Sequence, residues 1–283
     1  MRPQGPNLSP SLRPTMSTTD ATFPEVPDQP ALYDWLYEHT DKDVEMYRAL
    51  TRPHARVLEC AVGTGRLAIP IAEQGTAVHG LDYSAGMLDL FRTKLQGEPE
   101  AVRERITLTQ GDMRDFDLGE RFPFVFIPFG SFVYLLTLDD QIACFGALLR
   151  HLEPGGTLVL DVPTWEEAVD ESWLMNDERV MKIRQGRDPK TNKMTEMWTT
   201  NRFDASTQLM TQDRHYRIYA ADGSLEREQV VVWRSRFFFL GELELLARMH
   251  GLEITDTYGD FEFGPYTHRS EVAVVVMRRR PEA

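Results

Sequence analysis

The chain has 283 residues, 42% of them hydrophobic and 10% aromatic, enough to bury a sizeable core without disulfide or metal staples. Its formal net charge of −13 disfavours electrostatic binding to nucleic acid or to an anionic membrane. Cys60 and Cys144 are the two cysteines, far apart in apolar stretches, which excludes a disulfide framework and a cysteine zinc site and suits a reducing cytoplasm.

Residues 1–28 read as a disordered leader: seven prolines stand before position 31, and no apolar core of a signal peptide is present. Met16 opens an ordinary-looking start, so residues 1–15 are expected to be dispensable. Tyr33, Leu36, Tyr37, Val44 and Tyr47 recur at helical spacing and predict a helix over 31–50. A short buried strand over 56–60 runs into a glycine turn and a helix to about Gln74, which Gly75 ends. A second strand follows over 76–81, then a helix to about Leu95 capped by Ser84. Further strands are predicted over 106–109, 124–129 and 157–162, with a helix over 139–151 and a sharp Pro154-Gly155-Gly156 turn. No apolar run reaches the length of a membrane span.

Strands alternating with helices predict an α/β fold with a parallel sheet covered on both faces. After Pro163 the pattern changes. Segments 177–185, 194–203, 208–220 and 226–239 read as long antiparallel strands, with turns at Asp188-Pro189 and Asp222-Gly223. A helix over 241–250 and strands over 252–258 and 272–277 close the chain. Four segments are therefore expected: the leader 1–28, a core over 29–163, an antiparallel insert over 164–240, and a tail over 241–283 that completes the core sheet. The insert holds 12 basic and 13 acidic residues, so nearly all of the negative charge lies elsewhere.

The strongest local signal is Glu59-Cys60-Ala61-Val62-Gly63-Thr64-Gly65. A strand enters a Gly-x-Gly turn that opens a helix, so backbone approaches a ligand closely and helix N–H groups stand free. The next strand ends in Asp82, where a carboxylate accepts both hydroxyls of a ribose. Gly63-x-Gly65-x-x-Ala68 also matches a dinucleotide fingerprint, and a tight turn with no ligand is the bland alternative. Glu59 separates the nucleotide readings: a carboxylate there repels a pyrophosphate and welcomes an ammonium group.

On these residues the chain resembles the class I S-adenosylmethionine-dependent methyltransferases, in their small-molecule branch. Residues 59–65 look like motif I, Asp82 like the ribose-binding acid, residues 110–115 like the adenine-binding turn, and residues 152–156 like the turn before strand five. The resemblance covers roughly 31–163 and returns at 236–278. It implies a Rossmann-like, doubly wound, seven-stranded, mostly parallel sheet with the antiparallel β insert as a lid, and S-adenosylmethionine as cofactor. It departs from the pattern at Ala61, where the motif has its first glycine, and at Phe122-Pro123, where the fourth strand usually begins Phe-Asp.

Carried over residue by residue, the resemblance implies cofactor contacts from Tyr33, Glu59, Ala61, Gly63, Gly65, Asp82, Tyr83, Met87, Asp112, Met113 and Phe129. The alternatives are an ordinary turn acid for Asp112 and a core residue for Met113. The stretch 110–163 resembles amino-sugar N-methyltransferases of bacterial natural-product pathways, and the Asn-Pro-Pro-Tyr type motif is absent after strand four. Tyr134 in that stretch and Glu171 in the acidic cluster after strand five are the catalytic candidates. Tyr37, Trp198, Trp233, His268 and Arg269 are the candidates for holding the acceptor. The histidines show no metal-ligand spacing, so no metal is expected. The expected function is methyl transfer to a small molecule, an N- or O-methylation of a sugar or similar metabolite. C-methylation of a prenyl diphosphate through a carbocation, or a non-catalytic nucleotide-binding protein on the same fold, are the alternatives. A cytoplasmic location is expected, with no nucleic acid or membrane partner and room for a homodimer.

Overall fold

The computed structural model describes residues 29–37, 40–164, 180–188 and 191–279. The expected leader and the acidic cluster with Glu171 lie outside the described residues.

Where one helix was expected over 31–50 there are two, α1 (Gln29–Tyr37) and α2 (Val44–Thr51). Positions 38–43 hold no apolar residue to continue the stripe, and Asp43 turns its carboxylate to Arg66 instead of capping α2. The main sheet consists of β1 (Arg56–Cys60), β2 (Ala77–Asp82), β3 (Ile106–Gln110), β4 (Phe122–Ile127), β5 (Leu152–Pro163), β10 (Leu252–Tyr258) and β11 (Val272–Arg279). Its order is β10-β11-β5-β4-β1-β2-β3, with β1 to β5 parallel and β11 antiparallel to both neighbours. The helices α3 (Ala68–Glu73), α4 (Ala85–Leu95), α5 (Glu100–Arg103), α6 (Leu138–Arg150) and α7 (Leu240–Met249) complete the doubly wound α/β fold.

Strands buried on both faces read as continuous apolar runs, and β4 is Phe-Pro-Phe-Val-Phe-Ile. It starts two residues earlier than expected. Pro123 donates no ladder hydrogen bond, and the register with β5 shifts between Phe122 and Phe124. It ends at Ile127 because Phe129 and Gly130 adopt φ values of 57° and 64°. The expected turn at residues 154–156 is instead a kink inside β5, at Gly155 with φ 75°.

Two apolar clusters cover the sheet. One holds Leu58, Cys60, Val125 and Leu160 with residues of α6 and α7; the other holds Val57, Phe126 and Val159 with Tyr47, Leu88 and Phe91. Strand alternation therefore places Glu59 on the same face as Val57, among α2, α3 and α4. β1 lies between β4 and β2, so the crevice outside the carboxyl ends of β1 and β4 is where such a sheet takes ligands.

The second sheet, β6 (Met181–Arg187), β7 (Met194–Asp204), β8 (Leu209–Tyr219) and β9 (Leu225–Arg236), is antiparallel throughout. Its inner face packs Met197, Tyr216 and Val231 on Leu32 and Trp35 of α1. α1 is tied to the main sheet as well: Asp34 accepts from Thr64 Oγ1 at 2.7 Å and from Lys94 Nζ at 2.9 Å. The helix thus bridges the two sheets. Among the described residues no helix is long and apolar enough to cross a membrane.

Candidate active site

The loop from β1 to α3 is held open by backbone that glycine suits best. Gly63 and Gly65 have φ of 58° and 85°, and Ala61 has φ 60° despite its side chain. An alanine there carries a strain of roughly 1–2 kcal/mol. At Gly65 there is no room for any side chain: a Cβ would lie 2.2 Å from the ring of Phe91, which is fully buried. Gly65→Ala is expected to lower the melting temperature by several degrees and to abolish nucleoside binding, since a positive φ and overpacking act together. Thermal melts and titration with S-adenosylhomocysteine check this; a variant with wild-type melting and binding contradicts it.

Asp82 braces this loop. Its Oδ2 accepts from Gly63 N–H at 2.7 Å and its Oδ1 from Ser84 N–H at 2.8 Å. Burial raises the carboxyl above its ordinary range, against the pull of those two bonds. Ser84 Oγ in turn accepts from Met87 N–H at 3.3 Å and caps α4.

Beneath the loop lies Glu59, 2% exposed. Its Oε2 is buried without a hydrogen-bond partner. Burial pushes its pKa well above the carboxylate range, with Arg66 acting in the opposite direction. Arg66 is already engaged in a fork with Asp43, at 2.5 and 2.6 Å, and donates to the Thr40 carbonyl at 3.1 Å. One guanidinium therefore faces the carboxylates of Asp43 and Glu59. A buried carboxylate oxygen without a partner is costly, and a ligand cation relieves that cost where a phosphate adds to it.

At the end of β4, Asp161 on β5 collects three donors: Tyr47 O–H at 2.5 Å, Phe129 N–H at 2.8 Å and Gly130 N–H at 2.7 Å. Burial pushes its carboxyl up to about 6 despite these bonds. The three bonds fix the positive-φ turn that presents the Phe129 ring. Arg66 sits 4.4 Å from that ring centroid, Tyr37 meets it edge-on at 5.0 Å, and Tyr33 at 6.5 Å. Beyond these aromatics a pocket opens under the second sheet. Its walls are Leu32, Tyr33, Leu36 and Tyr37 of α1, Arg214 and Tyr216 of β8, and Val231 and Trp233 of β9. Tyr134, in the 3-10 turn Ser131–Tyr134, packs on Trp233 with ring centroids 5.4 Å apart.

Residues 57–156 match the family model described as "Methyltransferase domain". The chain is 29% identical over 225 residues to the cypemycin N-terminal methyltransferase of a Streptomyces species, covering 79% of this chain and 83% of that one. It is 32% identical over 158 residues to the dTDP-3-amino-3,4,6-trideoxy-alpha-D-glucopyranose N,N-dimethyltransferase of Streptomyces venezuelae, covering 53% of this chain and 63% of that one. Among solved structures it is similar to the glycopeptide N-methyltransferase MtfA complexed with S-adenosyl-L-methionine, with 26% identity, a TM-score of 0.56, and coverage of 86% of this chain and 96% of that one. Residues 57–156 carry a methyltransferase domain, and the chain is an S-adenosylmethionine-dependent methyltransferase. Its cofactor is S-adenosylmethionine. The residues present fit that group, because the partnerless buried oxygen of Glu59 suits the ammonium of its amino-acid end.

The structure brings most of the expected cofactor residues of the methyltransferase to one crevice, around the turn of Ala61, Gly63 and Gly65. Tyr83 is 43% exposed beside Asp82, and Met87 is buried on α4. Met113 packs its side chain into the core. Asp112 is engaged in its own turn, accepting from Arg114 N–H, Nε and Nη2.

Three of the expected acceptor residues are corrected. Trp198 does not face the pocket. Met197 faces inward, so alternation turns Trp198 to the outer face, where its Nε1 donates to Glu196 and Lys182 sits 4.6 Å over its ring. His268 and Arg269 are exposed in the connection between β10 and β11 and do not line the pocket. Tyr37 and Trp233 do line it. Sequence reasoning missed Asp43, Tyr47, Arg66, Asp161 and Arg214. One signal was present: Asp161 interrupts the run Leu158-Val159-Leu160-Asp161-Val162, and an acid inside a buried strand must find donors.

Proposed function

We propose that the chain methylates a nitrogen of a small, ring-bearing acceptor that sits in the pocket between α1 and the second sheet. The observation that carries this is Tyr37, which lines the pocket and also meets Phe129 at the end of β4. The acceptor site therefore adjoins the crevice where the cofactor binds. When bound, S-adenosylmethionine supplies a methyl on a sulfonium. Glu59 and the backbone of Ala61, Gly63 and Gly65 would hold its amino-acid end, and Asp82 its ribose. Asp112 and the Met113 N–H would face its adenine, with Tyr83 and Met87 packing beside it. Tyr33, Tyr37 and Phe129 would exclude water from the space between cofactor and acceptor. The division of labour is then main sheet for cofactor and second sheet for acceptor.

An amine needs little base assistance once its neutral form is bound and aligned. Burial raises the Tyr134 hydroxyl well above the ordinary tyrosine range, so it serves as a neutral hydrogen-bonding group at the acceptor and not as a base. Glu171 keeps its role as a candidate proton acceptor. The names of the three relatives also support nitrogen as the acceptor atom. We also place the protein in the cytoplasm, which Cys60 and Cys144, both buried free thiols, fit.

Trp233→Ala tests the division. With labelled methyl donor and a panel of amines, acceptor efficiency is expected to change by tenfold or more, while affinity for S-adenosylhomocysteine stays within about twofold, as for separate sites. Equal losses in both would make Trp233 a core residue and overturn the assignment. Tight cofactor binding with no methyl transferred to any amine or hydroxyl would favour the non-catalytic alternative.

A further inference from the structure

Arg214 differs in setting from the ion-paired cations of its sheet. On the outer face Lys182 pairs with Glu196 at 2.7 Å, Arg202 with Asp213 at 2.8 Å and Arg217 with Glu228 at 2.9 Å. Arg214 is on the inner face and lines the pocket, and among the described residues no carboxylate lies within ion-pair distance of it. Gln212 Oε1 accepts from its Nε at 3.3 Å and from its Nη2 at 2.8 Å. Its other neighbours are neutral: the hydroxyls of Tyr37, Tyr134 and Tyr216, and the Trp233 ring 4.5 Å away. In a chain with 44 acidic and 31 basic residues, a half-buried guanidinium without a counter-ion is a site for an anion brought by a ligand.

The site also limits that anion. Among the described residues the pocket walls offer one guanidinium; Arg66 in the adjoining crevice is held by Asp43, and Arg184 is turned to the Leu36 carbonyl and the Trp35 ring. One fork matches one carboxylate in a bidentate pair. A diphosphate needs further cations, and a net charge of −13 opposes it at longer range. The remaining walls, Leu32, Leu36, Val231 and the Trp233 face, suit an apolar or aromatic body.

We propose that the acceptor bears a carboxylate seated on Arg214 and an apolar ring against Trp233, and is not a nucleotide-diphosphate sugar. This rests on the pocket being the acceptor site, as argued above. The test titrates the protein saturated with S-adenosylhomocysteine with four probes: phenylpropionate, its neutral twin phenylpropionamide, phenyl phosphate and thymidine diphosphate. Phenylpropionate is expected to bind at least tenfold tighter than the amide. Arg214→Gln should erase that preference and Arg214→Lys should keep part of it, with affinity for S-adenosylhomocysteine unchanged in both. Equal binding of acid and amide, no binding of phenylpropionate, or a preference that survives Arg214→Gln overturns the proposal. Tighter Arg214-dependent binding of thymidine diphosphate or phenyl phosphate also overturns it, in favour of a phosphorylated acceptor. Failure of S-adenosylhomocysteine itself to bind would instead remove the function proposed above.

Discussion

Asp82→Ala is expected to weaken S-adenosylhomocysteine binding by on the order of 100-fold while the chain stays folded. Two charge-assisted hydrogen bonds to ribose hydroxyls are together worth about 3 kcal/mol, which corresponds to that factor. The structure adds a second reason. The same carboxylate fixes Gly63 N–H and Ser84 N–H, so the variant also loosens the loop that approaches the cofactor. Neither bond belongs to the core clusters, so circular dichroism should show a folded protein. Unchanged affinity would refute the ribose assignment.

The second large effect is expected at Asp161. Alanine there leaves the Tyr47 hydroxyl and the Phe129 and Gly130 N–H groups without their acceptor. At roughly 1 kcal/mol or more for each buried donor, stability should fall by about 3 kcal/mol, several degrees in melting temperature. Turnover should fall about tenfold or more, because the Phe129 turn loses its anchor. The pH dependence separates the two effects. The folded pKa of about 6 lies above the ordinary carboxylate value, so this group alone makes the fold more stable as pH falls below 6. A drop in turnover below pH 6 without a drop in melting temperature would therefore report on the turn and not on unfolding. A variant with wild-type melting and turnover contradicts the role given to Asp161.

Much of the fold was legible because its signals are local. The glycine turn after 56–60, Ser84 as a cap and the apolar strands each lie within about ten residues of chain. The buried Glu59 was informative for the same reason: an acid inside a strand declares a cavity or a partner. The rest depended on distance in sequence. Asp161 bonds to Tyr47, 114 residues away, and to Phe129, 32 residues away, and no local pattern announces either. Trp198 failed on parity. Met197 and Trp198 are both bulky and apolar, and which one faces inward is decided by α1 covering that side of the sheet. Arg214 looked like one of many strand arginines until the packing of α1 on β8 and β9 placed its guanidinium in the wall of the pocket.

The central claim, a site for a cationic nucleoside with an amino-acid end, is tested most directly by calorimetry with S-adenosylhomocysteine and NAD on the same protein. One S-adenosylhomocysteine should bind per chain with a dissociation constant on the order of micromolar, weakened tenfold or more by Glu59→Gln, and NAD should give no heat. Binding of NAD in its place, or of neither ligand, would contradict the account.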